Sequence, residues 1–481
     1  MSKTADQKTA ATTTQQDSNW QAYIEDFRRA GHETVDWIAQ YLANVAEKPV
    51  LAQTRPGELL DALPASAPDK GEPFDAILRD FDRLVMPAVT QWNHPRFFAY
   101  FACTGSTPAI LGEMLAAALN TNGLHWRTSP AVVELEQRAL DWLRQWMGLS
   151  PGWFGVVYDT ASTSSMHAIV AAREMVDPEA RTAGSRNDLI LYTSNQSHFS
   201  IEKGAIAVGI GQQNVRKVPS DSEFRMLPGE LARMIEDDKR AGKRPFCVVA
   251  TVGTTSSTSV DPVAQIADIA EQHGLWLHVD AAYAGAAAIL PEHRHILDGA
   301  DRAHSLVLNG HKWLLTPIDL SAFYTRRPDI LRRAFSFSSD YLKTQEDPRA
   351  YNLMDYGIPL GHRFRALKLW YILRYFGRER IETMLRSHIQ WARDFAALVD
   401  AHPNFERVAP VPFSVVCFRY KGPDEQNKAI MEKVNATGRV FLASTVLNGK
   451  LTLRLAIGNL ETQWKDVQEA WDLLQKAAKE I

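Results

Sequence analysis

Between residues 107 and 365, short β-rich runs alternate with helical patterns, and this alternation restricts the fold more than any other feature of the chain. The β-rich runs cover residues 154–158, 189–193, 246–252, 275–279, 305–308 and 322–324. Segments with helical periodicity, such as residues 164–176 and 263–273, separate several of them. Such alternation is typical of right-handed βαβ crossovers. It predicts a large α/β domain with a mostly parallel sheet, whose ligands bind at the carboxyl ends of the strands.

The flanking segments predict three further parts. Residues 1–17 are polar and rich in Thr and Gln, so we expect a disordered tail. Residues 18–106 carry an amphipathic helix and a Pro-rich link without an obvious core, so we expect a helical arm that packs on a partner subunit. Residues 366–481 combine a long helix with a hairpin signal at Asn448-Gly449, which indicates a small α+β domain.

Charge and cysteine content exclude several classes of function. Lys plus Arg total 53 and Asp plus Glu total 56, so neither nucleic acid nor an anionic membrane is expected as the main partner. No stretch reaches the ~18 apolar residues of a membrane span, and the cytoplasm is the default location. Three cysteines without regular spacing predict neither a disulfide framework nor a zinc site. The His293 and His295 pair is more typical of a solvated loop than of a metal site.

Reactive side chains follow three of the predicted strands. Thr160, Ala161 and Ser162 begin a helix, where free N–H groups bind phosphate, although ordinary helix capping also explains them. Asp280 ends an apolar run and needs a cation or strong hydrogen bonds, unless it only caps the next turn. Lys312 lies among apolar neighbours that would lower its pKa, although a surface lysine at a strand end is the ordinary alternative.

Together these three features match one ligand, pyridoxal 5'-phosphate. This cofactor needs a lysine for its aldehyde, a carboxylate for its ring nitrogen and an anion site for its phosphate. His198 follows the run 189–193 and could stack on the ring, while Thr255 lies in another loop after a strand. The combination is far more specific than any one of its members.

Four segments carry a resemblance to a known family: NHPRFFAYF (93–101), HVDAAYAG (278–285), NGHKWLL (309–315) and PLGHRFRALKLW (359–370). In these residues the sequence resembles the group II pyridoxal-phosphate decarboxylases, over about residues 18–481. It is most similar to the aromatic-L-amino-acid decarboxylases. The resemblance implies the type I pyridoxal-phosphate-dependent transferase fold, in a homodimer with shared active sites.

The resemblance also implies a role for each matching residue. Lys312 would bond the cofactor aldehyde, Asp280 would pair with the ring nitrogen, and His198 would stack on the ring. The phosphate would be held by Thr160, Ala161, Ser162 and Asn309, and the rest of the cofactor would be lined by Thr255, Ala282 and His311. The substrate pocket would contain Trp92, Tyr100 and Phe101, with Leu124 from the other subunit and Gly361 leaving space for an indole.

Tyr341 bears on the type of reaction. It lies in SFSSDYLKTQEDPRAYN, a segment that resembles the family's catalytic loop, in which a tyrosine protonates the substrate after carbon dioxide leaves. A phenol keeps its proton at neutral pH and therefore suits a general acid. Relatives that form aldehydes tend to replace this tyrosine or the stacking histidine. Tyr341 and His198 therefore favour decarboxylation of tryptophan, Dopa, tyrosine or phenylalanine to the arylethylamine.

Other functions remain open on the sequence. An aromatic acetaldehyde synthase would use the same cofactor and the same substrates. An aminotransferase would need a second carboxylate site, for which Arg454 is a formal candidate, although its place in a hairpin predicts a surface strand residue. A non-catalytic binding protein is disfavoured by the intact set of Lys312, Asp280, His198 and Tyr341. A nicotinamide enzyme is disfavoured because GIGQQN (209–214) lacks the third glycine of the dinucleotide motif.

Overall fold

The structure is a computed structural model that describes residues 3–101, 103–337 and 350–481, with side chains from residue 19 onward. Its strands are β1 (Phe154–Tyr158), β2 (Leu189–Ser194), β3 (Val215–Val218), β4 (Arg244–Thr251), β5 (Trp276–Asp280), β6 (Ser305–Asn309), β7 (Ser321–Thr325), β8 (Phe405–Arg407), β9 (Val415–Tyr420), β10 (Ala443–Leu447) and β11 (Lys450–Ala456). Its helices are α1 (Lys3–Asn44), α2 (Glu58–Ala62), α3 (Phe74–Asp80), α4 (Thr107–Leu119), α5 (Pro130–Met147), α6 (Ala161–Val176), α7 (Ala180–Ala183), α8 (Ser200–Ala207), α9 (Pro228–Arg240), α10 (Val263–His273), α11 (Gly310–Trp313), α12 (Pro328–Phe335), α13 (Ala366–Ala401), α14 (Asp424–Ala436) and α15 (Trp464–Lys479).

A seven-stranded sheet forms the centre of the large domain, in the order β1-β7-β6-β5-β4-β2-β3. Only β7 runs against its neighbours, so the prediction of a mostly parallel sheet is confirmed. Strands β2, β5 and β6 are buried along their whole length because apolar residues face helices on both sides of the sheet. Strands β1, β2, β4, β5 and β6 end at the same edge of the sheet, where ligands of such folds bind.

The small domain contains a four-stranded antiparallel sheet in the order β10-β11-β9-β8. Its hairpin closes with Leu447 opposite Lys450, and both Asn448 and Gly449 have positive φ, as the Asn-Gly pair predicts. Helix α13 links the two domains. Its residues up to Ile389 pack in the core of the large domain, and those from Ala392 onward pack on the small sheet. The change from one packing cluster to the other therefore falls inside α13.

The N-terminal arm differs from expectation at its beginning. Helix α1 starts at Lys3, so most of the segment expected to be disordered is helical in the structure. A continuous helix is physically reasonable because Ala, Gln and Lys are good helix formers and neither Gly nor Pro occurs before Gly31. The arm joins the small domain through backbone hydrogen bonds, including one from the Val50 amide to the Gly438 carbonyl at 2.8 Å.

The described helices include no candidate membrane span. None of them combines the length and the apolar character that crossing a bilayer requires.

Candidate active site

Lys312 lies in α11, directly after β6, at the carboxyl edge of the sheet. Its Nζ is 5.1 Å from the centroid of the Phe101 ring. Desolvation lowers the pKa of Lys312, the Asp280 carboxylate opposes this shift, and the Arg454 guanidinium adds to it. Solvent still reaches part of the residue, whereas its ammonium group is desolvated. A lysine in this setting supplies a neutral amine more readily than a surface lysine does.

Asp280 is the last residue of β5, and only 6% of it is exposed. Its Oδ1 accepts a hydrogen bond from the Ala282 amide at 3.1 Å, so the carboxylate also caps the following turn. Small buried residues surround the turn, among them Ala281 and Ala284. A buried carboxylate with small neighbours can hold a cationic group of a flat ligand. Both sequence interpretations of Asp280 are therefore compatible with its position.

His198 follows β2 and has a defined proton arrangement. The backbone amide of Ser200 donates to its Nδ1 at 3.2 Å, and the Ser200 hydroxyl lies 2.8 Å from the same nitrogen. Because an amide can only donate, Nδ1 is the acceptor and the proton of the neutral ring is on Nε2. Burial lowers the pKa of His198, Lys312 adds to the shift, and Asp280 opposes it. The lowered pKa favours a neutral imidazole at this position.

The first turn of α6 is a candidate anion site. Thr160 is its N-cap, and the Thr160 hydroxyl accepts a hydrogen bond from the Thr163 amide at 3.4 Å. The hydroxyl of Thr160 therefore caps the helix. The amides of Ala161 and Ser162 lie in the same first turn, where N–H groups point along the helix axis toward a bound anion.

Two serines of α6 fix this turn relative to the sheet. The Ser165 hydroxyl lies 3.1 Å from His278 Nε2 on β5, and the Ser164 hydroxyl lies 2.8 Å from the Ser321 hydroxyl on β7. Since His278 and Asp280 are two residues apart on the same strand, they share one face of the sheet. The helix start and the Asp280 carboxylate are thereby held in a fixed relation.

Asn309 and His311 form a buried pair beside Lys312. The Leu320 amide donates to His311 Nδ1 at 3.0 Å, and burial lowers the pKa of His311 to about 4, so the neutral ring carries its proton on Nε2. That nitrogen is 2.9 Å from the Asn309 carboxamide. As the carboxamide is oriented, its amino group faces that nitrogen, and Asn309 Oδ1 has no hydrogen-bond partner within the described part of the chain. Turning the carboxamide so that Oδ1 accepts the Nε2–H satisfies both groups and leaves the amino group of Asn309 as a free donor.

Arg454 lies in a different environment from the one that its sequence position predicts. The prediction of a surface strand residue is wrong, since Arg454 is 5% exposed and its guanidinium lies 5.2 Å from the Phe101 ring centroid. It donates to the backbone carbonyls of Thr255, Ser256 and Tyr100 at 3.1, 2.9 and 3.3 Å. The alternating pattern of β11 does place it on one face, but this face packs on the loop after β4 instead of facing water.

Aromatic rings form one wall of the site. Phe101 stacks on Tyr283 at 4.1 Å between centroids, and Tyr283 stacks on Trp313 at 5.0 Å. Trp92 and Tyr100 stack on each other at 5.9 Å and are both partly exposed, at 38% and 53%. Apolar faces of this kind suit an aromatic ligand.

Leu124 and Gly361 lie in a different place. Gly361 lines a cavity of about 360 Å³ whose lining also includes Asn122, Tyr158 and Thr163 but neither Lys312 nor Asp280. Leu124 is joined to the same region, because its carbonyl accepts the Met354 amide at 3.0 Å. Leu124 and Gly361 therefore form a second cluster, away from Lys312 and Asp280, whose cavity reaches the first turn of α6 at Thr163.

One predicted residue has no described position, and one residue near Lys312 was not predicted. Tyr341 is outside the described residues. Cys103 is not among the predicted site residues, yet it lies near Lys312. Burial raises the pKa of its thiol to about 11, and Lys312 opposes this shift. Its position two residues after Phe101, just beyond the matching segment 93–101, is the signal that the sequence offers. Over the described ranges, no group of three or more His, Cys, Asp or Glu residues could hold a metal ion.

Comparison with known proteins gives consistent matches. The family model of the pyridoxal-dependent decarboxylase conserved domain matches residues 56–421. The chain is 40% identical over 473 residues to a phenylacetaldehyde synthase of Arabidopsis thaliana, covering 94% of this chain and 96% of that protein. It is 40% identical over 474 residues to an aromatic-L-amino-acid decarboxylase of Catharanthus roseus, covering 95% and 94%. The structure of Oryza sativa TDC with PLP and tryptamine superposes with a TM-score of 0.92 at 37% identity, covering 95% of this chain and 98% of that one.

Proposed function

This chain belongs to the pyridoxal-dependent decarboxylase family, and on that premise we propose that it converts an aromatic L-amino acid to the arylethylamine and carbon dioxide. One observation carries the proposal. Lys312, with its lowered pKa, lies against the ring of Phe101 and within the electrostatic reach of Asp280, at the ligand-binding edge of the sheet.

The cofactor is pyridoxal 5'-phosphate, and the residues of the site fit it. The chain offers a lysine amine, a buried carboxylate, the N-terminal turn of α6 and the free amino group of Asn309. We assign the phosphate to Thr160, Ala161, Ser162 and Asn309, and the remaining contacts to Thr255, Ala282 and His311. When bound, the cofactor supplies an electron sink for the negative charge that remains on the α-carbon after carbon dioxide leaves.

The chain's own groups perform the remaining tasks. Lys312, whose pKa is lowered, would hold the cofactor through its aldehyde and would supply the amine for the covalent chemistry there. The Asp280 carboxylate would favour a protonated ring nitrogen, and His198, whose pKa is lowered, would pack against the ring. Tyr341 delivers the proton of its hydroxyl to the α-carbon.

An aromatic substrate is favoured by the aromatic wall. Phe101 is backed by Tyr283 and Trp313, while Trp92 and Tyr100 present partly exposed rings. The Catharanthus roseus and Oryza sativa proteins, whose names and ligands concern aromatic amino acids and tryptamine, support the same substrate class. Tryptophan, Dopa, tyrosine and phenylalanine are the candidates.

Formation of an aromatic acetaldehyde is the second candidate function, because the Arabidopsis relative is named a phenylacetaldehyde synthase. Both outcomes use the same cofactor site, so the described residues do not separate them. We favour the amine because the sequence has Tyr341 as a proton donor and retains His198.

An aminotransferase is less well supported. Arg454 is buried near Lys312, as that alternative requires, but its guanidinium already donates to three backbone carbonyls. An arginine engaged in this way has limited capacity to grip a second carboxylate in the bidentate manner.

We also propose a homodimer with shared active sites. Three aromatic residues of α1, namely Trp20, Tyr23 and Phe27, are each more than 60% exposed. Such a surface on an arm of the chain is suited to pack on a second copy. The separate cluster of Leu124 and Gly361 would then complete the partner's pocket.

A product assay tests the proposal. The cofactor-loaded protein is incubated with L-tryptophan, L-Dopa, L-tyrosine or L-phenylalanine, and amine, aldehyde, hydrogen peroxide and 2-oxo acid are quantified. Amine without equivalent peroxide supports decarboxylation. Aldehyde with equivalent peroxide would establish the synthase, and a 2-oxo acid that requires an added keto acid would establish the aminotransferase.

A further inference from the structure

His362 joins three parts of the chain in the second cluster. Its backbone amide donates to Asn122 Oδ1 at 2.9 Å, and its carbonyl accepts the Gly123 amide at 2.8 Å. Its Nε2 forms a 2.6 Å hydrogen bond with Glu136 Oε2. One residue thus connects the segment that bears Gly361 with the segment that bears Leu124, and anchors both to α5.

Glu136 is a firm anchor because of its place in the fold. Its carboxylate is completely buried, and Oε1 accepts the Val157 amide at 2.9 Å. Val157 belongs to β1, the edge strand of the large sheet, so this amide would otherwise be a buried donor without a partner. Glu136 therefore uses one oxygen to satisfy the sheet edge and the other to hold His362.

The two segments are held together along their length. Besides the two bonds of the His362 backbone, the Met354 amide donates to the Leu124 carbonyl at 3.0 Å, and the Trp126 amide donates to Asn352 Oδ1 at 3.3 Å. At Gly123, an added Cβ would lie 2.6 Å from Val132 Cγ1 and 3.2 Å from the His362 carbonyl oxygen. The segments are packed too closely at this point to admit a side chain.

We propose that His362, fixed by Glu136, is a positioning residue for substrate discrimination. It holds Leu124 and Gly361 in a constant relation, and so sets the width of the pocket wall that this cluster contributes. The inference rests on the proposed function, in which Leu124 and Gly361 line the pocket for the aromatic side chain. Neither His362 nor Glu136 is hydrogen-bonded to Lys312, Asp280 or Asn309, so we expect the pair to affect substrate selection more than cofactor affinity.

The test compares His362→Ala and His362→Gln with a matched control, His295→Ala. Gln keeps an amide donor for Glu136, whereas Ala removes it. His295 is exposed, is hydrogen-bonded to the Glu292 carbonyl of its own turn and stacks on His293 at 6.1 Å between centroids. For each holoenzyme we measure the dissociation constant for pyridoxal 5'-phosphate, the unfolding temperature, and kcat and KM for L-tryptophan and L-phenylalanine.

We expect His362→Ala to change the ratio of kcat/KM between the two substrates by about two- to tenfold, mainly through KM, while cofactor affinity stays within about twofold of wild type. His362→Gln should restore most of the ratio, and His295→Ala should leave it unchanged. An unaltered ratio in a folded His362→Ala protein would overturn the inference. If His362→Ala does not fold, Glu136→Gln takes its place, because it retains an acceptor for Val157 but weakens the bond to His362. An unaltered kcat/KM ratio in that variant would overturn the inference as well. A wild-type protein that forms no amine from any aromatic amino acid would instead contradict the proposed function.

Discussion

The carboxamide of Asn309 and the imidazole of His311 face each other at 2.9 Å, and the ring's other nitrogen already accepts the Leu320 amide at 3.0 Å. The pKa of His311 is lowered by burial to about 4, so the ring has one proton to offer, and it is on the side of Asn309. The Asn309 oxygen must accept it. The Leu320 amide, nine residues after His311, thus determines that the amino group of Asn309 is left as a donor.

Replacing Asn309 by Asp tests this proton arrangement. Aspartate would still accept the His311 proton, but its second oxygen would replace the donor and repel the cofactor phosphate. We expect the dissociation constant for pyridoxal 5'-phosphate to rise about tenfold to hundredfold, the range of a hydrogen bond to a charged group. Equilibrium titration of the apoprotein measures it. Asn448→Asp, the same change at the hairpin, is the control, and equal affinity of the two variants would contradict the arrangement.

Replacing Lys312 by Ala should abolish both the visible absorbance of the bound cofactor and turnover. No other described lysine combines burial with a place beside Asp280 and Phe101. We expect kcat to fall by at least about a thousandfold, because this amine takes part directly in the chemistry. Lys450→Ala, on the exposed hairpin, should behave as wild type. Full activity of the Lys312→Ala protein would refute the assignment of the site.

Replacing Arg454 by Met should shift a pH profile. Desolvation lowers the pKa of Lys312, and the positive charge of Arg454 lowers it further, so removing that charge raises the pKa. A higher pKa means that less neutral amine is present at a given pH. The rate at which the apoprotein acquires the cofactor's absorbance should therefore reach its midpoint at a higher pH than in wild type. The control is Arg240→Met, on the surface of α9, and a midpoint that stays or falls would contradict this electrostatic role.

Replacing Tyr341 by Phe should change the product and not the cofactor affinity. The phenol is the proposed proton donor to the α-carbon, and phenylalanine keeps its shape without the proton. We expect amine to decrease while aldehyde, ammonia and hydrogen peroxide appear together with oxygen uptake. Chromatography of the products and an oxygen electrode provide the measurement. Tyr375→Phe, at an exposed position of α13, is the control. Unchanged amine output would remove Tyr341 from the mechanism.

The strands that carry the site could be predicted because each is a continuous apolar run with a reactive residue at its end. Asp280 and Lys312 follow buried strands, and their meeting at one sheet edge follows from parallel topology alone. Strand β3 gave no such signal, since two of its four residues are Arg216 and Lys217. Local pattern therefore identified the central strands but not the short, charged strand at the edge.

Contacts between domains could not be predicted in this way. The burial of Arg454 depends on how β11 packs on the loop that contains Thr255, and no periodicity within β11 encodes that partner. The separation of Leu124 and Gly361 from Lys312 likewise depends on the path of the chain over hundreds of residues. The resemblance identified Leu124 and Gly361 as substrate-site candidates, but only the folded structure shows that the two residues lie in one region.

A glycine pair tests the packing beneath the cofactor site. Gly253 and Gly242 both have positive φ, at 90° and 74°, so alanine at either position meets a similar backbone strain of about 1–2 kcal/mol. At Gly253, a new Cβ would also lie 2.6 Å from the Ala284 Cβ, whereas at Gly242 nothing lies within 4 Å.

We therefore expect Gly253→Ala to lower the free energy of unfolding by about 1–3 kcal/mol more than Gly242→Ala does, the usual cost of overpacking. Urea unfolding at one protein concentration measures the difference. Because Ala284 belongs to the turn that follows Asp280, the displaced turn should also weaken cofactor binding in Gly253→Ala alone. Equal stability and equal cofactor affinity in the two variants would show that the turn can yield without cost, and that the site is less tightly packed than the structure indicates.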